Sequence, residues 1–426
     1  MEKLALVWKT KDLRTKILMM IGLLILTRVL AHIPIPGLTA TNLKTFFNQN
    51  QFFSLLDVFS GGGLSTLSIV MLGVGPYITS SIVIQLLTVI VPSWSELQKE
   101  GGEAGREKLN QYTRYLTVPL ALLQAFGTIR LLQSGQSGIS VLGALSGFQW
   151  FVTLSAVTVG TIMLMWIGEL ITEYGIGNGI SLIIFAGIVA RLPQSLQQTL
   201  ALYDSSQLPK IIGFAIGALI IIAAVVFVTE AQRNIPVSYA KRVQGAKTYG
   251  GVNTHLPIRV NQAGVIPIIF AISVMLFPTL IANFFVSARS ISIQHFATKI
   301  ITLFQNQTFY NSLYFLLVVL FTFFYTAVVF NPDEVAENVQ KNGGFVPGMR
   351  PGKQTADYLY YVLNRITVFG ALFLGVIAVL PFLFQDLTSS QSLSVGGTSL
   401  LIVVSVVIET IKNIEAQLVM RDYELY

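Results

Sequence analysis

The chain has 426 residues, a formal net charge of +7 and no cysteine. Apolar residues make up 53% of it and charged residues only 11%, against about 25% charged in an ordinary soluble domain. That deficit excludes a soluble globular protein and points to an integral membrane protein. The missing cysteine excludes disulfides, thiolate metal sites and a cysteine nucleophile. Basic loops around membrane spans account for the positive charge, which is no argument for nucleic acid.

Ten apolar runs follow one another, at about 17–33, 69–92, 115–133, 148–171, 180–200, 211–230, 263–286, 309–330, 359–384 and 397–418. Their lengths and lack of strict alternation predict spanning helices rather than barrel strands. The first run follows a basic start and has no Ala-x-Ala-like cleavage site, so it is expected to stay in the protein. Between runs one and two, Leu55–Ser60 and Leu64–Leu67 are too short to span. They suit either a short helix filling a cavity from the outer side or an interfacial helix lying on the membrane.

The second run opens behind Gly61-Gly62-Gly63 and contains Gly73-Val74-Gly75-Pro76. Glycine and proline weaken a helix and remove a backbone donor, and in lipid such backbone is tolerated only beside protein or a water-filled cavity. The expectation is a short re-entrant piece followed by a spanning helix. A second copy, Gly264-Val265-Ile266-Pro267, opens the seventh run. Interrupted spans at matching places mark the functional centre of a membrane protein with internal repeats.

If the N-terminus is cytoplasmic, nineteen Lys and Arg fall in inside loops and seven outside, which predicts both termini inside. Five spans per half then make the second half start from the opposite side, giving two inverted halves in a clamshell around a central path. The inside loops 92–114, 231–262 and 331–358 are long for a helical bundle and rich in turn residues. They are expected to be ordered and to dock a soluble partner.

Catalytic chemistry finds little footing. His32, His255 and His295 lie far apart, and there is no phosphate-binding glycine loop and no Gly-x-Ser-x-Gly. Glu169 and Glu173 sit on one face near the inner end of run four, where a proton relay is not expected. A solute transporter would need a polar midplane site, and an intramembrane enzyme a nucleophile with its base. Neither is present in the spans.

Several stretches, in order and spacing, resemble the SecY/Sec61-alpha family of protein-conducting channels over nearly the whole chain. They are Gly73–Ile78, Gln111-Tyr112-Thr113-Arg114-Tyr115, Tyr174–Ser181 (Tyr-Gly-Ile-Gly-Asn-Gly-Ile-Ser), Thr254-His255-Leu256-Pro257, Phe345–Gly352 and Gly396–Ile402.

The resemblance implies an all-α polytopic bundle of ten transmembrane helices in two inverted five-helix halves, 1–205 and 206–426, around an hourglass pore. It implies a constriction of Val74, Ile78, Ile180, Ile184, Ile269 and Ile402. It also implies a plug at about 57–70, with Gly61, Gly62, Gly63, Leu64, Ser65, Leu67 and Ile69 at its centre. Gln85 and Asn178 match the lateral-gate polar cluster, between spans two and three on one side and seven and eight on the other. Lys241, Arg242, Lys247 and Arg350 match contacts to a motor or ribosome.

The partners implied are SecE-like and SecG-like small membrane subunits, a SecA-type ATPase, the ribosome, unfolded secretory and membrane polypeptides, and the lipid bilayer. No cofactor or enzymatic activity is implied, and the expected location is the bacterial cytoplasmic membrane. The sequence departs from the family pattern at Val74, where isoleucine is usual. It departs again at Ala246-Lys247, where a basic pair is common, and in its glycine-heavy plug.

Overall fold

The computed structural model describes residues 10–36, 57, 60–99, 101–134, 142–143, 145–201, 208–239, 242–244, 247–249, 253–286, 290–388 and 396–424. Each apolar run forms a helix. In chain order these are α1 (Lys11–Leu30), α2 (Gly75–Ile90), α4 (Gly102–Ser134), α5 (Gly147–Tyr174), α6 (Gly179–Ala201), α7 (Leu208–Glu230), α8 (Ile266–Phe285), α10 (Gln307–Val329), α12 (Lys353–Thr388) and α13 (Gly396–Glu424). Three shorter helices join them: α3 (Pro92–Lys99), α9 (Ile291–Gln305) and α11 (Pro332–Lys341).

Among the described residues, four helical stretches are long and apolar enough to cross a membrane alone. They are Gly102–Gln133, Gly147–Tyr174, Gln307–Lys341 and Lys353–Leu380. A fifth follows if α2 and α3, bent by 106° at their junction, count as one span. The remaining runs are helical but shorter in their apolar part, or more charged; α1, for instance, carries Arg14, Lys16 and Arg28.

The helices pack in two neighbourhoods. In the first, α2 lies on α4, α4 on α5, and α5 on α6 and α1. In the second, α10 lies on α8 and α12, and α13 on α7 and α12. The neighbourhoods meet where α8 touches α2 and α4, and where α13 touches α6. An ion pair from Lys412 to Glu230, 2.8 Å, ties the ends of α13 and α7.

The three long loops are largely regular structure. The 92–114 stretch is mostly helix, with α3 and the first turns of α4 meeting at Gly101 and Gly105. A Cβ on either glycine would fall within 2.3 Å of the Leu97 carbonyl oxygen, so only glycine closes this corner. The 231–262 and 331–358 loops form one sheet. β1 (Gln232–Tyr239) pairs antiparallel with β4 (Asn253–Arg259) on one side and β5 (Gly344–Phe345) on the other.

Ile235 and Val237 point from β1 into a separate apolar core with Ile258, Ala336, Val346 and Leu359. Alternation along Ile235-Pro236-Val237-Ser238 is the strand signal that a search for apolar runs passes over. Between β1 and β4, β2 (Arg242–Gln244) and β3 (Lys247–Tyr249) pair as a hairpin.

Candidate functional site

The two Gly-Val-x-Pro copies adopt the same local structure. Gly73 has φ 58° and Gly264 φ 61°, values in the left-handed region that glycine reaches without a Cβ penalty. Val74 and Val265 then take the N-cap position with nearly identical dihedrals, −91°/6° and −94°/−8°. Pro76 and Pro267 fall in the first turn, where the missing N–H costs nothing and the fixed φ is already helical. Glycine and proline thus start a helix at each place instead of breaking one. Where a short re-entrant piece is expected ahead of the spanning helix, residues 69–74 form turns that lead into α2.

Those two starts deliver side chains to one place. Val74, Ile78, Ile184, Ile269 and Ile402 are buried in a single apolar cluster, and Ile180, half-buried, packs against it. Ile184 and Ile402 are each only 1% exposed. The six side chains come from α2, α6, α8 and α13, on both sides of the junction between the neighbourhoods. Neither α2 nor α8 contains an Asp, Glu, Lys, Arg or His. Branched apolar side chains that converge this way offer water few hydrogen bonds, so a narrow passage between them excludes ions without needing a charge.

The segment expected as a plug lies beside this cluster. It is built of turns from Ser60 to Val74 rather than a helix. Gly61 (φ 66°), Gly62 (φ 92°) and Leu67 (φ 46°) take left-handed conformations, which explains why a glycine-rich start gives turns here. The Ile35 N–H donates to the Leu67 carbonyl and the Ile69 N–H to the Ile33 carbonyl, each at 3.0 Å, fastening the segment to the end of α1. The Ile69 carbonyl lies directly on α5, where a Cβ at Gly160 would stand 2.1 Å from it.

Leu64, Leu67 and Met71 are buried against Ile129 and Leu132 of α4. Gly63 is buried as well, and Ser65 is half-buried. A cavity of about 20 Å³, lined by Arg28, Ser60, Gly61 and Val74 among others, lies between part of the segment and the apolar cluster, while Val70 and Ile69 pack on that cluster directly; the cavity has room for about one water.

Polar contacts that reading the residues in chain order missed hold this segment. Asp57 is buried and forms an ion pair with Arg191 of α6. Its Oδ1 accepts a hydrogen bond from the Ser65 N–H at 2.7 Å. Arg28 of α1 donates from Nη1 to the Gly61 carbonyl at 2.7 Å. The sequence signal was present as two arginines near span ends, but only the fold shows what they reach.

The expected lateral-gate residues are not joined. Asn178 caps α6, its Oδ1 accepting from the N–H groups of Ile180 and Ser181 at 3.0 and 3.2 Å. Gln85 donates to Ser81 on its own helix at 3.4 Å, and its Oε1 is buried without a partner. Glu169 is engaged in an ion pair with Arg114 of α4 at 2.8 Å.

Of the expected docking residues, Lys241 lies outside the described residues. Arg242 and Lys247 start the two strands of the β2–β3 hairpin. Arg350 is exposed between Gly348 (φ 87°) and Gly352 (φ 96°). Its carbonyl accepts from the Thr355 hydroxyl at 3.0 Å, and Val346 anchors the loop in the sheet's core.

Known proteins resemble this chain in sequence and in fold. A family model described as SecY matches residues 68–411. The protein translocase subunit SecY of Mycobacterium bovis is 45% identical to this chain, over 98% of it and 97% of its own length. A solved structure described as a protein-conducting channel superposes with a TM-score of 0.65 at 19% identity, covering 93% of this chain and 91% of that one. Another, from work on how the plug domain of SecY stabilises the closed state of the translocation channel, superposes at 0.61 and 18% identity, covering 92% of this chain and 90% of that one.

Proposed function

The chain belongs to the SecY family, and on that premise we propose that its apolar cluster is the constriction of a passive channel for unfolded polypeptides. The chain is a translocase subunit and not an enzyme. The finer reading is ten spans in two inverted halves, 1–205 and 206–426, closing as a clamshell in the bacterial cytoplasmic membrane with both termini inside. Residues 57–70 plug the pore from the outer side. The gap between α2/α4 and α8/α10 opens sideways to release apolar segments into lipid, with Gln85 and Asn178 near it. The sheet and hairpin, with Lys241, Arg242, Lys247 and Arg350, dock a SecA-type motor or the ribosome. SecE-like and SecG-like subunits complete the complex.

One observation carries this reading: six branched apolar side chains from four helices gather at the two matched helix starts. Such a surface makes no directional bond, so it is indifferent to the side chain passing through. A channel for arbitrary sequences needs that indifference, and a solute transporter avoids it. No polar midplane site on these helices favours the transporter reading.

The test is Ile184→Asn, with Ile78→Asn and Ile402→Asn beside it, in the reconstituted translocase. An amide restores partners to water and removes burial that contributes about 1–3 kcal/mol. Ion leak should rise roughly five- to 160-fold, and export of a reporter with a damaged signal sequence should improve. Parent values in both assays would make Ile184 ordinary packing surface.

A further inference from the structure

Resting on the plug reading, we propose that Arg28 and Arg191 form a two-point clamp that sets how firmly the plug is held shut, with Asp57 as its central anion. The contacts converge on the short stretch from Asp57 to Ser65. Arg191 pairs with Asp57, and its Nη2 also donates to the Ser65 hydroxyl at 3.0 Å. The same carboxylate accepts from the Ser65 N–H, and Arg28 holds the Gly61 carbonyl.

Glycine at 61 and 62 is what admits the guanidinium groups. A Cβ on Gly61 would stand 2.9 Å from Arg28 Nη1 and 3.0 Å from the Gly187 Cα, and one on Gly62 3.3 Å from Arg191 Nε. Gly61 and Gly62 therefore have a second use besides turn formation: they let two cations lie close against the plug's backbone.

The two arginines come from different helices, α1 and α6. On α6, Arg191 sits seven residues after Ile184, about two turns along the same helix. A displacement of α6 that opens the apolar cluster carries Arg191 with it and pulls on Asp57. The clamp thereby couples plug release to the movement of the constriction. Its charge balance makes it sensitive to single changes. The Asp57 side chain is 4% exposed, so loss of Arg191 leaves a buried anion unpaired, and loss of Asp57 leaves two cations facing the plug. Breaking one partner of a buried pair is far more costly than removing both.

The experiment is ion leak through the reconstituted translocase carrying Asp57→Asn, Arg191→Gln, both together, or Arg191→Lys, each also placed in a deletion of Gly61–Ile69. Each single neutral variant should leak at least about tenfold more than the parent. The double variant should leak no more than the worse single, the signature of a coupled pair. Arg191→Lys keeps the charge and should leak less than Arg191→Gln. In the deletion background none of the substitutions should add leak.

A leaking deletion beside single variants that match the parent would overturn the clamp and leave the plug standing. So would a double variant equal to the product of the singles, or Arg191→Lys equal to Arg191→Gln. A deletion that fails to leak would remove the plug reading and the clamp with it.

Discussion

The chain starts a helix twice by the same means, at Gly73–Pro76 and at Gly264–Pro267, yet it reaches those starts through opposite kinds of surroundings. The first follows turns held by an ion pair, a few side-chain hydrogen bonds and two backbone bonds to the end of α1. The second follows β4, which pairs with β1 over seven register positions from Arg259 to Asn253. The second lead-in is further fixed where Asn261 Nδ2 donates to the Gly264 carbonyl at 3.2 Å, and where the Val260 carbonyl lies against Gly370 of α12. A helix start is thus a local matter of one left-handed glycine and one early proline. What precedes it is free to specialise: side-chain contacts can be released one at a time, whereas a ladder of backbone bonds opens only as a whole. The proposed plug stands on the first kind of lead-in and the proposed docking platform on the second.

The largest expected effect separates those two roles. Arg350→Glu should cut motor-driven transport about thirtyfold or more, because disrupting a charge pair that becomes buried on docking costs about 2–5 kcal/mol. Leak should stay at the parent level, because Arg350 sits on a loop fixed by Val346 and Thr355 and its side chain contributes little to the fold. Transport into vesicles with purified motor, alongside ion leak, measures both. Normal transport would remove Arg350 from the docking surface, and raised leak would mean that the platform is not independent of the pore.

Much of this contrast is legible in the sequence, for identifiable reasons. Long apolar runs mark helices because burial in lipid leaves the backbone no other partner, and all ten runs are helical. The matched Gly-Val-x-Pro signatures mark the starts because glycine and proline act through their own backbone. What stayed hidden depends on residues distant in the chain. Arg191 and Asp57 are 134 positions apart, and no local pattern ties them.

The strands of the sheet formed by β1, β4 and β5 are short and interrupted by Pro236 and Pro257, so alternation there is weak. Helix α9 buries only Ala297 and Ile301 along its length and does not register as an apolar run. Asn178 reads equally well as a gate residue or a helix cap until its hydrogen bonds are seen.

The contrast sharpens if the two glycines are replaced. Gly73→Ala and Gly264→Ala should each cost about 1–2 kcal/mol, the penalty of placing a Cβ in the left-handed region. No atom lies within 4 Å of where the Gly264 Cβ would stand, so conformation alone sets its cost. Thermal unfolding of the purified complex should show similar losses for both. Leak should rise only for Gly73→Ala, whose strain can be relieved by releasing the side-chain contacts ahead of it. Equal leak from both variants would mean that the turns before α2 let go no more readily than the strand before α8.

The smallest effect tests the matched N-cap valines. Both are almost fully buried, Val74 at 2% and Val265 at 3% exposure. Val74 borders the cavity beneath the proposed plug and Val265 does not. An added methylene at Val74 has a void to fill, and burying it contributes up to about 0.8 kcal/mol. The same methylene at Val265 meets a filled core, where overpacking costs about 1–3 kcal/mol. Val74→Ile should therefore raise the unfolding temperature slightly and lower leak by up to about fourfold, while Val265→Ile lowers the unfolding temperature. The sign difference is the informative quantity, since two starts with the same backbone would respond alike if their surroundings were also alike. Parallel shifts in both variants would mean that the looser packing at Val74 has no part in how the pore stays closed.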